Sequence, residues 1–116
     1  MAPNPRYHRD LLEACVRAQP SSDLDRVVLD TETLTLSDPD PEGWYHEASI
    51  IAYCGKNEVA IRMLKKAIAQ DYCAYSDLES DPLLANLRGT SGFRELLSAA
   101  KECQNRYLSK NESPVN

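Results

Sequence analysis

Residues 43–72, GWYHEASIIAYCGKNEVAIRMLKKAIAQDY, decide the fold of this chain. Apolar positions recur there at three- and four-residue spacing on both sides of one glycine, which is the period of two amphipathic helices and not of strands. The first helix is predicted from about Glu42 to Tyr53, a turn at Gly55 to Asn57, and the second helix from about Glu58 to Gln70. Glycine at that place suits a left-handed C-terminal cap. In the second helix Ala60, Ile61, Leu64, Ala67 and Ile68 make the buried stripe, and Arg62, Lys65 and Lys66 fall on the solvated face.

Outward from this pair, the same period continues. An N-terminal helix is expected from about Arg6 to Ala18, with Leu11, Leu12, Cys15 and Val16 on its apolar side, and Pro20 stops it. Ser21 to Asp23 then supplies a cap and first-turn acids for a helix carrying Leu24, Val27, Val28, Thr31 and Leu34. Ser37 to Gly43, SDPDPEG, is the strongest turn in the chain. Beyond Tyr75, Pro82 can open a short helix that Gly89 ends, since a proline needs no amide partner in a first turn. Thr90 and Ser91 cap a last helix lined by Phe93, Leu96, Leu97, Ala100, Cys103 and Tyr107 or Leu108. The end, SKNESPVN, is polar. RVVLDTETLTL fits the helical period at least as well as alternation, so the chain reads as all-α.

A chain of 116 residues is one domain's length and can bury a core without staples. The net charge of -5 is concentrated at the front, where residues 1–40 hold eight acidic against four basic groups. Such a balance repels phosphate backbones, and the one basic cluster is Arg62, Lys65 and Lys66, so no nucleic acid is expected as partner. No apolar run reaches the roughly 20 residues of a membrane span, and MAPNPRYHRD lacks the apolar core of a secretion signal. Cytoplasmic location without membrane contact is the expectation. Cys15, Cys54, Cys73 and Cys103 are widely spaced with no C-x-x-C pair, which predicts buried free thiols.

The spacing of Trp44, Ala48, Ile51, Gly55, Ala60, Leu64 and Ala67 resembles the tetratricopeptide repeat, in which aromatic, small and apolar residues alternate over two helices of ~34 residues. Small residues at Ala48, Ala60 and Ala67 let two helices approach while Trp44, Ile51 and Leu64 fill the gaps around them. Glu47 stands in an apolar slot, and Tyr72 where the repeat carries a proline. The resemblance implies a right-handed stack of antiparallel helical hairpins: a divergent first hairpin over 5–36, the best unit over 41–74, and closing helices over 81–109, followed by a polar tail at 110–116. In the first hairpin Arg26 and Asp30 replace the repeat's alanine and apolar residue. Asp81, Pro82, Leu84, Leu87, Arg88 and Phe93 resemble the segment that follows the last repeat in bacterial multidomain regulators of the Ser/Thr kinase or winged-helix type. A terminal helix of this kind covers the apolar end of a stack. This chain has no glycine-rich phosphate loop, H-R-D or D-F-G, so the resemblance implies a sensor or adaptor portion of a signalling protein, or a stand-alone relative.

What the resemblance implies for function is a non-catalytic scaffold that binds a protein or peptide along its concave face, through Glu42, Tyr45, His46, Ser49, Ala52 and Tyr53. Tyr45 and Tyr53 either contact a partner there or pack against the first hairpin. The basic-and-asparagine set by which some family members clamp a C-terminal carboxylate is absent from these positions. A second reading is a self-association or spacer domain forming a homodimer, and a third is a small helical enzyme. For the third, His8 and His46 have no second metal ligand at helical spacing, and nothing orients His46 as a base toward Cys54. The acid pairs Asp23 with Asp25 and Asp38 with Asp40 lie in turns and helix starts, where carboxylates serve backbone donors. No catalytic, metal or cofactor residues are therefore expected.

Overall fold

The computed structural model describes residues 22–112; the expected helix over 6–18, with His8 and Cys15, lies outside them, as do residues 113–116. Helices follow one another as α1 (Ser22–Leu36), α2 (Pro41–Tyr53), α3 (Asn57–Ala69), α4 (Tyr75–Ser80), a 3-10 helix (Pro82–Leu87) and α5 (Ser91–Glu112). Among the described residues there is no strand, and RVVLDTETLTL lies within α1.

The helix ends follow from side-chain chemistry. Asp40 is extended ahead of Pro41, whose missing amide costs nothing in a first turn. Across the same bend the Trp44 indole donates to the carbonyls of Thr35, at 3.0 Å, and Asp38, at 2.7 Å, and so satisfies acceptors that the end of α1 leaves open. Trp44 is thus a half-buried clasp between α1 and α2 as well as a packing residue.

At the α2–α3 turn Gly55 takes φ +85. Its amide donates to Ala52 at 2.9 Å and the Lys56 amide to Ile51 at 3.2 Å, the paired bonds of a Schellman cap. The same cap closes α3 without glycine: Asp71 sits at φ 69, its amide reaches Ile68 at 2.9 Å, and the Tyr72 amide reaches Ala67 at 3.0 Å. Asp tolerates this left-handed position better than most residues. At the start of α5, the Thr90 hydroxyl accepts from the Phe93 amide at 3.2 Å, the expected N-cap.

One core runs through all the elements. Ala48, Ile51 and Ala52 of α2 meet Ala60, Met63 and Leu64 of α3, the most extensively packed helix pair. Leu78 of α4, Leu84 and Leu87 of the 3-10 helix, and Phe93, Leu96 and Ala100 of α5 complete it. Met63 is fully buried where the sequence pattern favours Ile61. Ile61 is half-buried instead and lies over Gly92, where an added Cβ would meet its Cδ1 at 2.7 Å, so this glycine lets α5 lie close against α3. At the far end of α5, Tyr107 and Leu108 are exposed, in contrast to the expected stripe. The helix itself continues to Glu112, past the start of the expected tail.

The free-thiol expectation is overturned. Cys73 and Cys103 form a disulfide with Cα atoms 5.5 Å apart, joining the α3–α4 link to α5 across 30 residues of sequence. Cys54 is disulfide-bonded as well. Wide spacing conceals such pairs because the fold, and not the sequence interval, brings the sulfurs together.

Candidate functional site

The six residues expected to face a partner divide into two sets on α2. Glu42, His46 and Tyr53 are exposed, with Tyr53 at 55%. Tyr45, Ser49 and Ala52 are buried, at 3%, 3% and 0%. Helical geometry puts 42, 46 and 53 along one edge, four and seven residues apart, and turns 45, 49 and 52 inward beside it.

The closing segment bonds to two of the inward set, Tyr45 and Ala52. Tyr45 donates to Asp81 Oδ2 at 2.7 Å, and the Asn86 side-chain amide donates to the Ala52 and Tyr53 carbonyls at 3.3 and 3.4 Å. The 3-10 helix therefore seals the C-terminal acceptors of α2 while its Leu84 and Leu87 enter the core. Tyr45 packs against Tyr72, ring centroids 5.8 Å apart, and against the closing segment. Burial, with the hydrogen bond to Asp81 and the charges of Asp81 and Asp77, pushes the Tyr45 phenol far up, so it stays a donor. Ser49 turns its hydroxyl onto the His46 carbonyl at 2.7 Å.

Asp81 is the busiest polar residue of this region. Its Oδ1 accepts from the Leu83 amide at 2.9 Å as the 3-10 helix N-cap, Oδ2 accepts from Tyr45, and its carbonyl accepts from Arg88 at 2.6 Å. Arg88 also donates to the Leu78 carbonyl at 3.2 Å and so closes the end of α4. The D-P-x-L-x-x-L-R pattern thus has a physical reading in this chain: cap, helix starter, two core anchors and a guanidinium that gathers carbonyls.

On the exposed edge, His46 Nε2 lies 3.9 Å from Glu42, and the His46 ring stands edge-on to Tyr45 at 5.9 Å. Next to it in sequence but turned inward, Glu47 is 1% exposed, and burial pushes its carboxyl up to about 7 against the opposing pull of His46. The basic face of α3 is held within the chain. Arg62 forks onto Glu32 of α1 at 2.7 and 2.8 Å, which holds that carboxyl below its usual range, and Lys65 reaches Glu95 of α5 at 3.5 Å.

Cys54 is bonded and offers no thiolate to His46. Among the described residues no group of three or more His, Cys, Asp or Glu side chains could hold a metal ion, and no helix is long and apolar enough to cross a membrane. The Tyr45–Asp81 contact is not legible in the sequence: Asp81 stands out as part of a pattern, but nothing local names a partner 36 residues away. No protein-family model, curated protein or solved structure matches the chain.

Proposed function

We propose that the chain is a non-catalytic protein-interaction module built as a tetratricopeptide-like stack of antiparallel hairpins, and that its partner contacts the edge of α2 formed by Glu42, His46 and Tyr53. The observation that carries this reading is the exposure of Tyr53, at 55%, on the same edge of α2 as the exposed Glu42 and His46, on a helix whose other side is sunk in the core. An exposed aromatic with a polar tip is the side chain most enriched at recognition surfaces. Pairing of Arg62 and Lys65 within the chain leaves less free positive charge for a nucleic acid, in keeping with a protein or peptide partner. The disulfides favour an oxidising compartment over the cytoplasm as the place of action.

The test is a pull-down with the whole chain and with Tyr53→Ala and His46→Ala variants, each checked for an unchanged helical spectrum. Loss of a specifically retained protein in both variants supports the reading; retention of every partner by both refutes the α2 edge. Self-association into a homodimer is the second reading, favoured by the exposure of Leu29 and Leu34 on α1, at 51% and 42%. Sedimentation equilibrium separates the two, since a monomeric mass at high concentration refutes the dimer.

A further inference from the structure

Between the α3–α4 link and α5 lies a cavity of about 480 Å³ whose walls include Tyr72, Tyr75, Tyr107, Asp71, Asp77 and Gln104. Among the described residues no lysine, arginine or histidine lines it. Arg106 borders an adjoining cavity of about 300 Å³ and lies 3.6 Å from Glu102. Around Tyr72 the field has one sign: burial first, then the carboxylates of Asp77, Glu42 and Asp40, push its phenol up.

The wall is also held in place. Asp71 at φ 69 and Ala74 at φ 53 both occupy the left-handed region, one on each side of Cys73, and the bond to Cys103 ties this short link to α5. Tyr72 lies on that link, Tyr75 begins α4, and Tyr107, 62% exposed, comes from α5.

We infer that this cavity binds an organic cation of the alkylammonium class. Tyrosine faces attract a cation through the ring quadrupole and accept its alkyl groups as apolar contacts. Asp71 and Asp77 add Coulomb attraction, Gln104 offers a hydrogen-bond acceptor to an ammonium N–H, and an anionic ligand would meet two carboxylates in this lining, while Arg106 of the adjoining cavity lies against Glu102. Organic ammonium ions come from two sources, a free amine such as a quaternary ammonium and the primary ammonium of a lysine side chain on a partner protein. None of the residues lining the cavity belongs to the α2 edge.

The experiment is an amide NMR titration of the isotopically labelled, oxidised full chain with choline, with its neutral isostere 3,3-dimethylbutanol, and with N-acetyl-lysine amide. Saturable shifts centred on residues 71–77 with choline, and none with the isostere, are expected. Tyr107→Ala, which removes an exposed ring, and Asp77→Asn should each weaken choline about two- to fivefold. Saturation by the lysine compound as well assigns the site to a partner's side chain, and by choline alone to a free amine; both support the site. No saturable shift with choline, an equal response to the isostere, or unchanged affinity in both variants overturns it.

Discussion

Tyr45 and Asp81 meet at 2.7 Å, hydroxyl to carboxylate, although Tyr45 lies in α2 and Asp81, 36 residues on, is the N-cap of the 3-10 helix. Phenylalanine at Tyr45 keeps the ring and removes only this bond. A hydrogen bond to a charged acceptor contributes about 1.5–3 kcal/mol, and Asp81 retains its bond from Leu83, so the loss on urea unfolding should be about 1–2 kcal/mol. Asp81→Ala also removes the N-cap and should cost more. The two changes combined should cost less than their sum, since they remove the same bond.

Glu47 makes stability depend on pH in the direction opposite to an ordinary paired carboxylate. Its carboxyl is raised from 4.5 to about 7 in the fold, so the native state binds more protons than the unfolded chain between those values. The contribution is fully present below pH ~4.5, declines as pH rises through about 7, and levels off above it. Glu47→Gln should flatten this part of the profile and stabilise the protein by about 2 kcal/mol at pH 8 relative to its effect at pH 4, after discounting the shift for screening. Urea midpoints at the two pH values measure it.

Reduction of the Cys73–Cys103 bond releases a loop of 30 residues in the unfolded chain. By loop entropy the loss is about 3–4 kcal/mol. Cys73→Ser combined with Cys103→Ser should lower the unfolding midpoint accordingly, and a thiol reductant should then change that variant's midpoint less than the parent's.

Three left-handed positions give predictions of opposite sign. An added Cβ at Gly55, where φ is +85, would have no neighbour within 4 Å, so Gly55→Ala is a pure backbone change and should cost about 1 kcal/mol. Ala74, at φ 53, is the reverse case: Ala74→Gly should stabilise by about 0.5–1 kcal/mol, net of glycine's larger unfolded-state entropy. Asp71→Gly should gain less, because aspartate already tolerates the conformation. Paired thermal melts of the three variants decide the signs.

How much can be read in advance depends on the range of the interaction. The Pro41 start of α2, the Gly55 cap, the Pro82 start and the Thr90 cap rest on residues within five positions of each other, and all are legible in the sequence. Helix α4 escapes such a reading because its six residues, YSDLES, bury only Leu78 and so carry no periodic signal. The Asp71 cap escapes it because aspartate, unlike glycine, does not advertise a positive φ.

Local chemistry is enough to make this chain helical and to set where most of its helices begin and end, because proline, glycine and capping side chains act locally and apolar spacing reports the helical period. Tertiary structure alone decided which faces are spent. It sank Tyr45, Ser49 and Ala52, with Asp81 and Asn86 of the closing segment bonded to Tyr45 and Ala52, left Glu42, His46 and Tyr53 outside, and joined Cys73 to Cys103. Those outcomes depend on contacts across 30 or more residues, as in the Tyr45–Asp81 and Cys73–Cys103 pairs, where no local rule of propensity or spacing reaches.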